Sequence, residues 1–429
     1  MPLAETFASW PLEARLAALF VLGAIAGAIA NAAIYGFCYD PRPISPWSRN
    51  FPREGRTRWL DLLPIVGWLS PRPAGEVFAA AGRWRPLLVE FLTGVCFVVL
   101  YIWEVEELRL IMPDLEGHVR PSVKLLTLIH AQFFGHALLF VFLVAASLID
   151  FDERTIPDEV TIPGTLAGLL LHTCVPQSQL IAHTTWQYGL TPGKSVLETI
   201  LPLHLAAPRD WPAELNDAIG LAIGIGCFAL WCIALLPRTW YARHGICRAI
   251  GLSVARIRRE RATLWLGALA VVGSLAVGGI WSLGGERWES LLSSLVGLAA
   301  GLTLIQAIRL VGSWALGREA MGFGDAILMA MIGVYLGWQA TIIAFFIAPF
   351  AAISIFVAQY LIHRDNELWF GPFLSFGAIC TIAAWVPIWS WAQGTFYTPW
   401  LVPAAMAVCL VLTGLLLLIL QTVRNMRSR

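Results

Sequence analysis

Charge is what this sequence most lacks. Of its 429 residues only 13% are Asp, Glu, Lys or Arg, about half the share of roughly 25% found in soluble proteins, so a water-facing surface of ordinary size cannot be built from it. Lysine is nearly absent, Lys124 and Lys194 being the two in the chain, and the remaining basic residues are arginines. The eight cysteines never stand as a C-x-x-C pair, which argues against both a disulfide framework and a zinc site. The eight histidines form no H-E-x-x-H pair. Gly193-Lys194-Ser195 has Tyr188 where a phosphate-binding loop needs glycine, and no internal repeat is visible. A soluble enzyme, a nucleic-acid binder and a secreted disulfide scaffold are all poor fits.

Apolar sequence fills the space that charge leaves. Hydrophobic residues make up 58% of the chain and mean hydropathy is +0.70. They gather in runs of about twenty, the length of helix that crosses a hydrocarbon core of roughly 30 Å. A transmembrane barrel would show alternating segments of about ten residues instead. The expected fold class is all-α, a polytopic helical protein whose partner is the lipid bilayer and not a nucleic acid. The runs cover 16–38, 86–103, 125–149, 160–175, 218–236, 263–284, 290–314, 326–336, 339–361, 373–392 and 400–422. That makes eleven spans, one of them short, with Gly337 as the break inside the longest apolar stretch. The first run exceeds the roughly 7–15 residues of a secretory signal core and reads as a retained span. Gly23, Gly27, Asn31 and Tyr35 share one face of it, a pattern suited to close helix packing.

Arginine sets the orientation, because inside-facing loops retain positive charge. The 39–85 loop carries eight arginines, the 237–262 loop seven and the C-terminal tail three. With the N-terminus outside, all three segments fall on the cytoplasmic side, while the acidic stretch around Glu104, Glu106, Glu107, Asp114 and Glu116 and the lightly charged 177–215 loop fall outside. The chain then divides into a first span (1–38), a cytoplasmic loop domain (39–85), a transmembrane region (86–236), a basic loop plus one span (237–289) and a second transmembrane region (290–429). Cysteine-accessibility mapping is expected to place positions near Arg58, Arg154, Arg258, Arg318 and Arg429 inside and positions near Glu106 and Trp186 outside.

Ionisable side chains near spans are costly and therefore candidates for function. One such stretch runs from Ser147 through Asp150, Asp152, Glu153 and Pro157 to Asp158; another runs from Glu319 to Asp325 as EAMGFGD. Asp158 and Glu159 follow Pro157 at a helix start, where negative charge is favoured and structural roles suffice. Asp325 has a simple reading as a helix N-cap. Asp150 is harder to explain in that way, since it ends its helix where the dipole disfavours a carboxylate. Four crossings separate Asp150 from Asp325, which puts both on one face. Two close carboxylates there can share a proton and activate a water.

The stretch from Ser147 to Pro163, together with GREAMGFGDAILMAMIGVYLG from Gly317 to Gly337, resembles the type IV prepilin peptidase family of GxGD membrane aspartic peptidases. The segments Gly23–Tyr35, Asp61–Leu69, Arg85–Glu90 and Phe370-Gly371-Pro372-Phe373 extend the resemblance over most of the chain. By that resemblance Asp150 and Asp325 are the catalytic aspartates, with Gly322, Gly324, Asp152, Pro157, Asp158 and Glu319 as the supporting motif. The implied reaction is endoproteolysis at the cytoplasmic face of the bacterial inner membrane. It removes a short basic leader from type IV prepilin or pseudopilin precursors just ahead of their apolar helix. Asp152, Glu153, Asp158 and Glu319 are then the acids suited to receive the leader.

The sequence departs from the family in three places. Residues 39–85 contain no cysteine, whereas many members carry two C-x-x-C pairs there, a zinc pattern. No zinc is expected, elemental analysis should find none in stoichiometric amount, and chelators should leave cleavage intact. Proteolysis needs no cofactor. Many members also methylate the new N-terminus with S-adenosylmethionine, and the resemblance carries proteolysis further than it carries that second activity. Ile327 stands where the family has lysine two residues after GxGD, and residues 238–289 read as an insertion. Two other functions stay open at the level of sequence: a transporter using the aspartates as a proton or cation site, and an inactive, peptidase-like scaffold.

Overall fold

The computed structural model describes residues 6–38, 45, 47, 59–69, 84–111, 123–183, 200–236, 259–317, 321–362, 370–398 and 400–427. Arg58, Trp186, Arg258, Arg318, Glu319 and Arg429, and with them most of the 39–85 and 237–262 loops, lie outside the described residues. Eleven of the described helices carry the apolar runs, the eighth holding two runs and the ninth and tenth sharing one: α1 (Leu12–Gly36), α2 (Trp84–Tyr101), α3 (Val123–Glu153), α4 (Asp158–Cys174), α5 (Ala218–Ala234), α6 (Arg261–Leu283), α7 (Gly285–Leu316), α8 (Phe323–Ile362), α9 (Phe370–Ala383), α10 (Trp385–Phe396) and α11 (Leu401–Arg427). The chain is a multi-pass, all-α membrane protein.

Seven of the described segments are long and apolar enough to cross a bilayer, and α9 with α10 make an eighth if counted as one. That pair departs from the expected single crossing at 373–392, because the helix turns by 92° at Ala384. Within α8, Gly337 has φ 77° and ψ 165°, a left-handed conformation open chiefly to glycine. The break therefore falls at the residue the sequence marks.

The first half of α8 is the centre of the bundle. Every residue from Ala326 to Ile332 is fully buried, as expected of a helix that is apolar on all sides. α7 packs most extensively against it, and it does so backbone to backbone: a Cβ on Gly297 would collide with the Gly333 carbonyl, and one on Gly301 with the Met329 carbonyl. With no hydrophobic driving force between helices in lipid, such close approach supplies the attraction. α1 and α2 pair similarly, with Gly27 set against the Glu90 backbone and Gly23 against Gly94. Asn31 on the same face of α1 donates its amide to the Pro86 carbonyl at 2.8 Å and to Glu90 Oε1 at 3.2 Å. Glu90 also accepts the Ile65 backbone N–H at 2.6 Å and the Trp68 indole at 2.8 Å. One buried carboxylate thus fastens the described part of the first loop to the helix pair.

Two segments expected at the outer face of the membrane carry buried residues. Glu104 is buried in a π-helical turn (Ile102–Glu106) that continues α2, and its Oε1 is 2.6 Å from His136 Nδ1 on α3. In the 177–215 loop, expected from its few charges at the outer face, two short strands, β1 (Ile181–His183) and β2 (Ile200–Pro202), pair antiparallel, with Ala182 opposite Leu201. Leu180, Ile181 and Ala182 are fully buried. Buried non-helical backbone needs internal partners, and indoles and amides provide them. Trp385 donates to the Ile181 carbonyl at 2.7 Å, Trp338 to that of Leu205 at 2.9 Å, and Gln339 to those of His204 at 3.1 Å and Ala207 at 3.3 Å.

Candidate active site

Asp150 lies in the last turn of α3 and is 6% exposed; Asp325 lies in the first turn of α8 and is 8% exposed. The two carboxylates are within Coulombic reach of one another. They meet because of a turn and a glycine. After α3 the chain reverses through Arg154, a non-glycine residue with φ 59°, and Ile156 is laid against the start of α8. There a Cβ on Gly324 would stand 3.0 Å from the Ile156 Cβ and 3.2 Å from its nitrogen. The second glycine of GxGD is the clearance that lets Asp325, the next residue, approach Asp150.

Asp325 is not the N-cap its position suggested. The helix begins at Phe323, which makes Gly322 the cap, and the Asp325 carboxylate accepts the Gly322 N–H. This is the reciprocal half of a capping box, in which the third helical residue reaches back to satisfy the cap's own donor. The turn before it is anchored from α7: Arg309 Nε donates to the Met321 carbonyl at 3.1 Å, and the guanidinium lies 5.6 Å from the centre of the Phe323 ring. Ile327, at the family's lysine position, is fully buried in the core.

The difficulty of a carboxylate at the end of α3 is resolved by a third helix. Gly371, second residue of α9, donates its backbone N–H to Asp150 Oδ2 at 3.2 Å. The first N–H groups of a helix have no partner within it, and its positive dipole end favours an anion. The N-terminus of α9 thus offsets what the C-terminus of α3 disfavours. A Cβ on Gly371 would stand 2.5 Å from that same Oδ2 and 3.0 Å from Ile156 Cδ1. In the sequence the Phe370–Phe373 segment stands out only as part of a family resemblance, with no task of its own. Nearby, Ser147 Oγ donates to Ser375 Oγ at 2.8 Å and joins α3 to α9 again.

The supporting acids do not all gather at the pair. Asp152 forms an ion pair with Arg85 of α2 at 2.7 Å, so this arginine ties two helices together beyond any effect on topology. Asp158 opens α4 after Pro157, its N-cap, and is exposed, as is Glu159; Glu153 is half-buried.

Zinc, which the family's cysteine pairs would hold, does not fit. Among the described residues no group of three or more His, Cys, Asp or Glu could hold a metal ion, and the described cysteines are scattered from Cys38 to Cys409.

Comparison with known proteins matches segments that contain both aspartates. Residues 137–240 and 259–357 match the type IV leader peptidase family. A prepilin leader peptidase/N-methyltransferase of Dickeya chrysanthemi is 29% identical over 241 residues, which cover 52% of this chain and 72% of that protein. Proteins of the same description from Myxococcus xanthus and Aeromonas hydrophila are each 29% identical over shorter stretches, covering 39% and 35% of their own lengths. No solved structure gives a significant match. Both aspartates fall inside the matched segments, and the chain belongs to the type IV leader peptidase family.

Proposed function

We propose that this protein is a membrane-embedded aspartic endopeptidase of the bacterial inner membrane that removes the leader from type IV prepilin-like or pseudopilin precursors at the cytoplasmic face. The observation that carries the reading is the buried pair of carboxylates, Asp150 and Asp325, formed at two helix ends in a chain of this family.

In this mechanism one carboxylate is ionised and the other holds a proton, since two like charges so close cannot both ionise cheaply. The ionised partner takes a proton from water as the water oxygen attacks the scissile carbonyl. The protonated partner donates a hydrogen bond to the carbonyl oxygen, where negative charge develops. Collapse of the tetrahedral species breaks the C–N bond, and a proton passes to the leaving amine. Gly371 N–H and the Gly322 N–H hold the two carboxylates in place throughout. Zinc and S-adenosylmethionine have no part in these steps.

A helix-end position suits the substrate. The basic leader stays in water near Glu153 and Glu159, and the apolar helix stays in lipid. The bond between them then falls at the interface. A transporter would place its acids near the bilayer midplane, whereas these stand at helix termini.

Co-expression with a candidate precursor, followed by mass spectrometry of the mature N-terminus, tests the reading. The expected product begins at the first residue after the leader, and an intact precursor would refute it. The same spectrum reports a 14 Da addition if the product is methylated, using the general mass of a methylene.

A further inference from the structure

On α3, Asp150, Leu143, Leu139 and His136 succeed one another at intervals of seven, four and three residues, which places them on a single stripe of a helix with 3.6 residues per turn. Asp150 heads the stripe at the catalytic end. Further along, the same stripe is the floor of an apolar groove of about 290 Å³. Leu139 and Leu143 are buried at its base, Val99 and Leu100 of α2 form one wall, and Ile379 and Ile382 of α9 form the other. The outer edges of the walls, Val99 and Ile379, are exposed, so the groove opens sideways toward lipid. The opposite wall belongs to the helix whose N-terminus holds Asp150.

We infer that this groove seats the apolar helix of the precursor, an inference that rests on Asp150 and Asp325 being the peptidase pair. Three observations select this occupant over a lipid tail. The groove continues the stripe of the catalytic aspartate, and Leu143 lies about 10 Å along the helix axis from Asp150 at 1.5 Å per residue. A substrate helix that starts beside the carboxylates therefore meets the groove after about two turns. Its lining holds no cation to receive a lipid phosphate, in contrast to the other large apolar cavity, which has Arg209 at its edge. Its far end is polar: His136 has Nδ1 bound to Glu104, while the buried Nε2 has no hydrogen-bond partner. A helix lying in the groove can offer that nitrogen a side-chain partner, which an acyl chain cannot.

The test compares two substrates on the full-length protein in lipid. One is the whole precursor; the other is a soluble peptide with the leader, the scissile bond and a few residues beyond it. Val99→Trp and Ile379→Trp each add bulk at the rim, where folding tolerates it. Each is expected to lower the ratio of kcat/KM for the precursor to kcat/KM for the peptide by about tenfold or more, the discrimination that pocket shape provides, with most of the change in KM. Val99 lies on α2 well past Arg85, which pairs with Asp152 at the catalytic end, so Val99→Cys should also form a disulfide with a cysteine placed about four turns beyond the scissile bond of the precursor. An unchanged ratio in both tryptophan variants, or cross-linking of Val99→Cys to a photoactivatable phospholipid and not to the precursor, overturns the inference. If the parent protein cleaves neither substrate, the peptidase reading itself has failed.

Discussion

Asp150→Asn and Asp325→Asn are each expected to reduce cleavage of a precursor by at least about a thousandfold, within the range that general acid–base groups contribute. An amide can neither accept the water's proton nor pass one to the leaving amine. The double substitution should be no worse than either single one, because groups that act as a unit lose their effect together. Asp158→Asn is the contrasting control. Asp158 is an exposed residue at a helix start, and a dipole contribution of about 0.3–1 kcal/mol limits its effect to roughly two- to fivefold. Cleavage rates read by mass spectrometry, normalised to the amount of protein in the membrane, decide the matter. Substantial cleavage by either single variant would rule out the dyad.

Gly371→Ala should produce nearly as large a loss without touching a carboxylate. The new methyl group would be built 2.5 Å from Asp150 Oδ2 and 3.1 Å from its Cγ, well inside contact distance, and the carboxylate must rotate away. Displacement of a reacting group by about 1 Å can cost on the order of a hundredfold in rate. The expected signature is a fall in kcat with little change in KM, in a protein that inserts at normal levels. A Gly371→Ala enzyme with parental kcat would show that the position of Asp150 does not depend on the start of α9.

These two predictions differ in how visible their origins are in the sequence. Asp150 and Asp325 can be found by reading, because acids stand out against apolar runs and counting crossings puts them on one face. Gly337 can be found too, since it interrupts a stretch too long for one crossing. Gly371 acts through a backbone N–H, which every residue but proline possesses, so composition and spacing carry no sign of it. The pairing of Arg85 with Asp152 joins residues far apart in the chain, and an arginine count assigns it only to a loop. The π-helical turn that buries Glu104 and the bend at Ala384 escape for a similar reason, as each answers to packing partners that become neighbours only after folding. The hairpin segment misleads for the opposite reason. Its low charge suits an exterior loop equally well, and its burial depends on donors supplied by other helices.

That dependence sets a timetable for synthesis. The carbonyls of Leu205 and Ile181 are satisfied by side chains that lie 133 and 204 residues further along the chain. At about 5–20 residues per second, the ribosome takes roughly ten to forty seconds to produce them. Until then this polar, non-helical backbone lacks those partners and cannot be buried without cost. A segment from the middle of the sequence is therefore among the last to be seated, and a nascent chain stopped before Trp385 would leave it open to proteases.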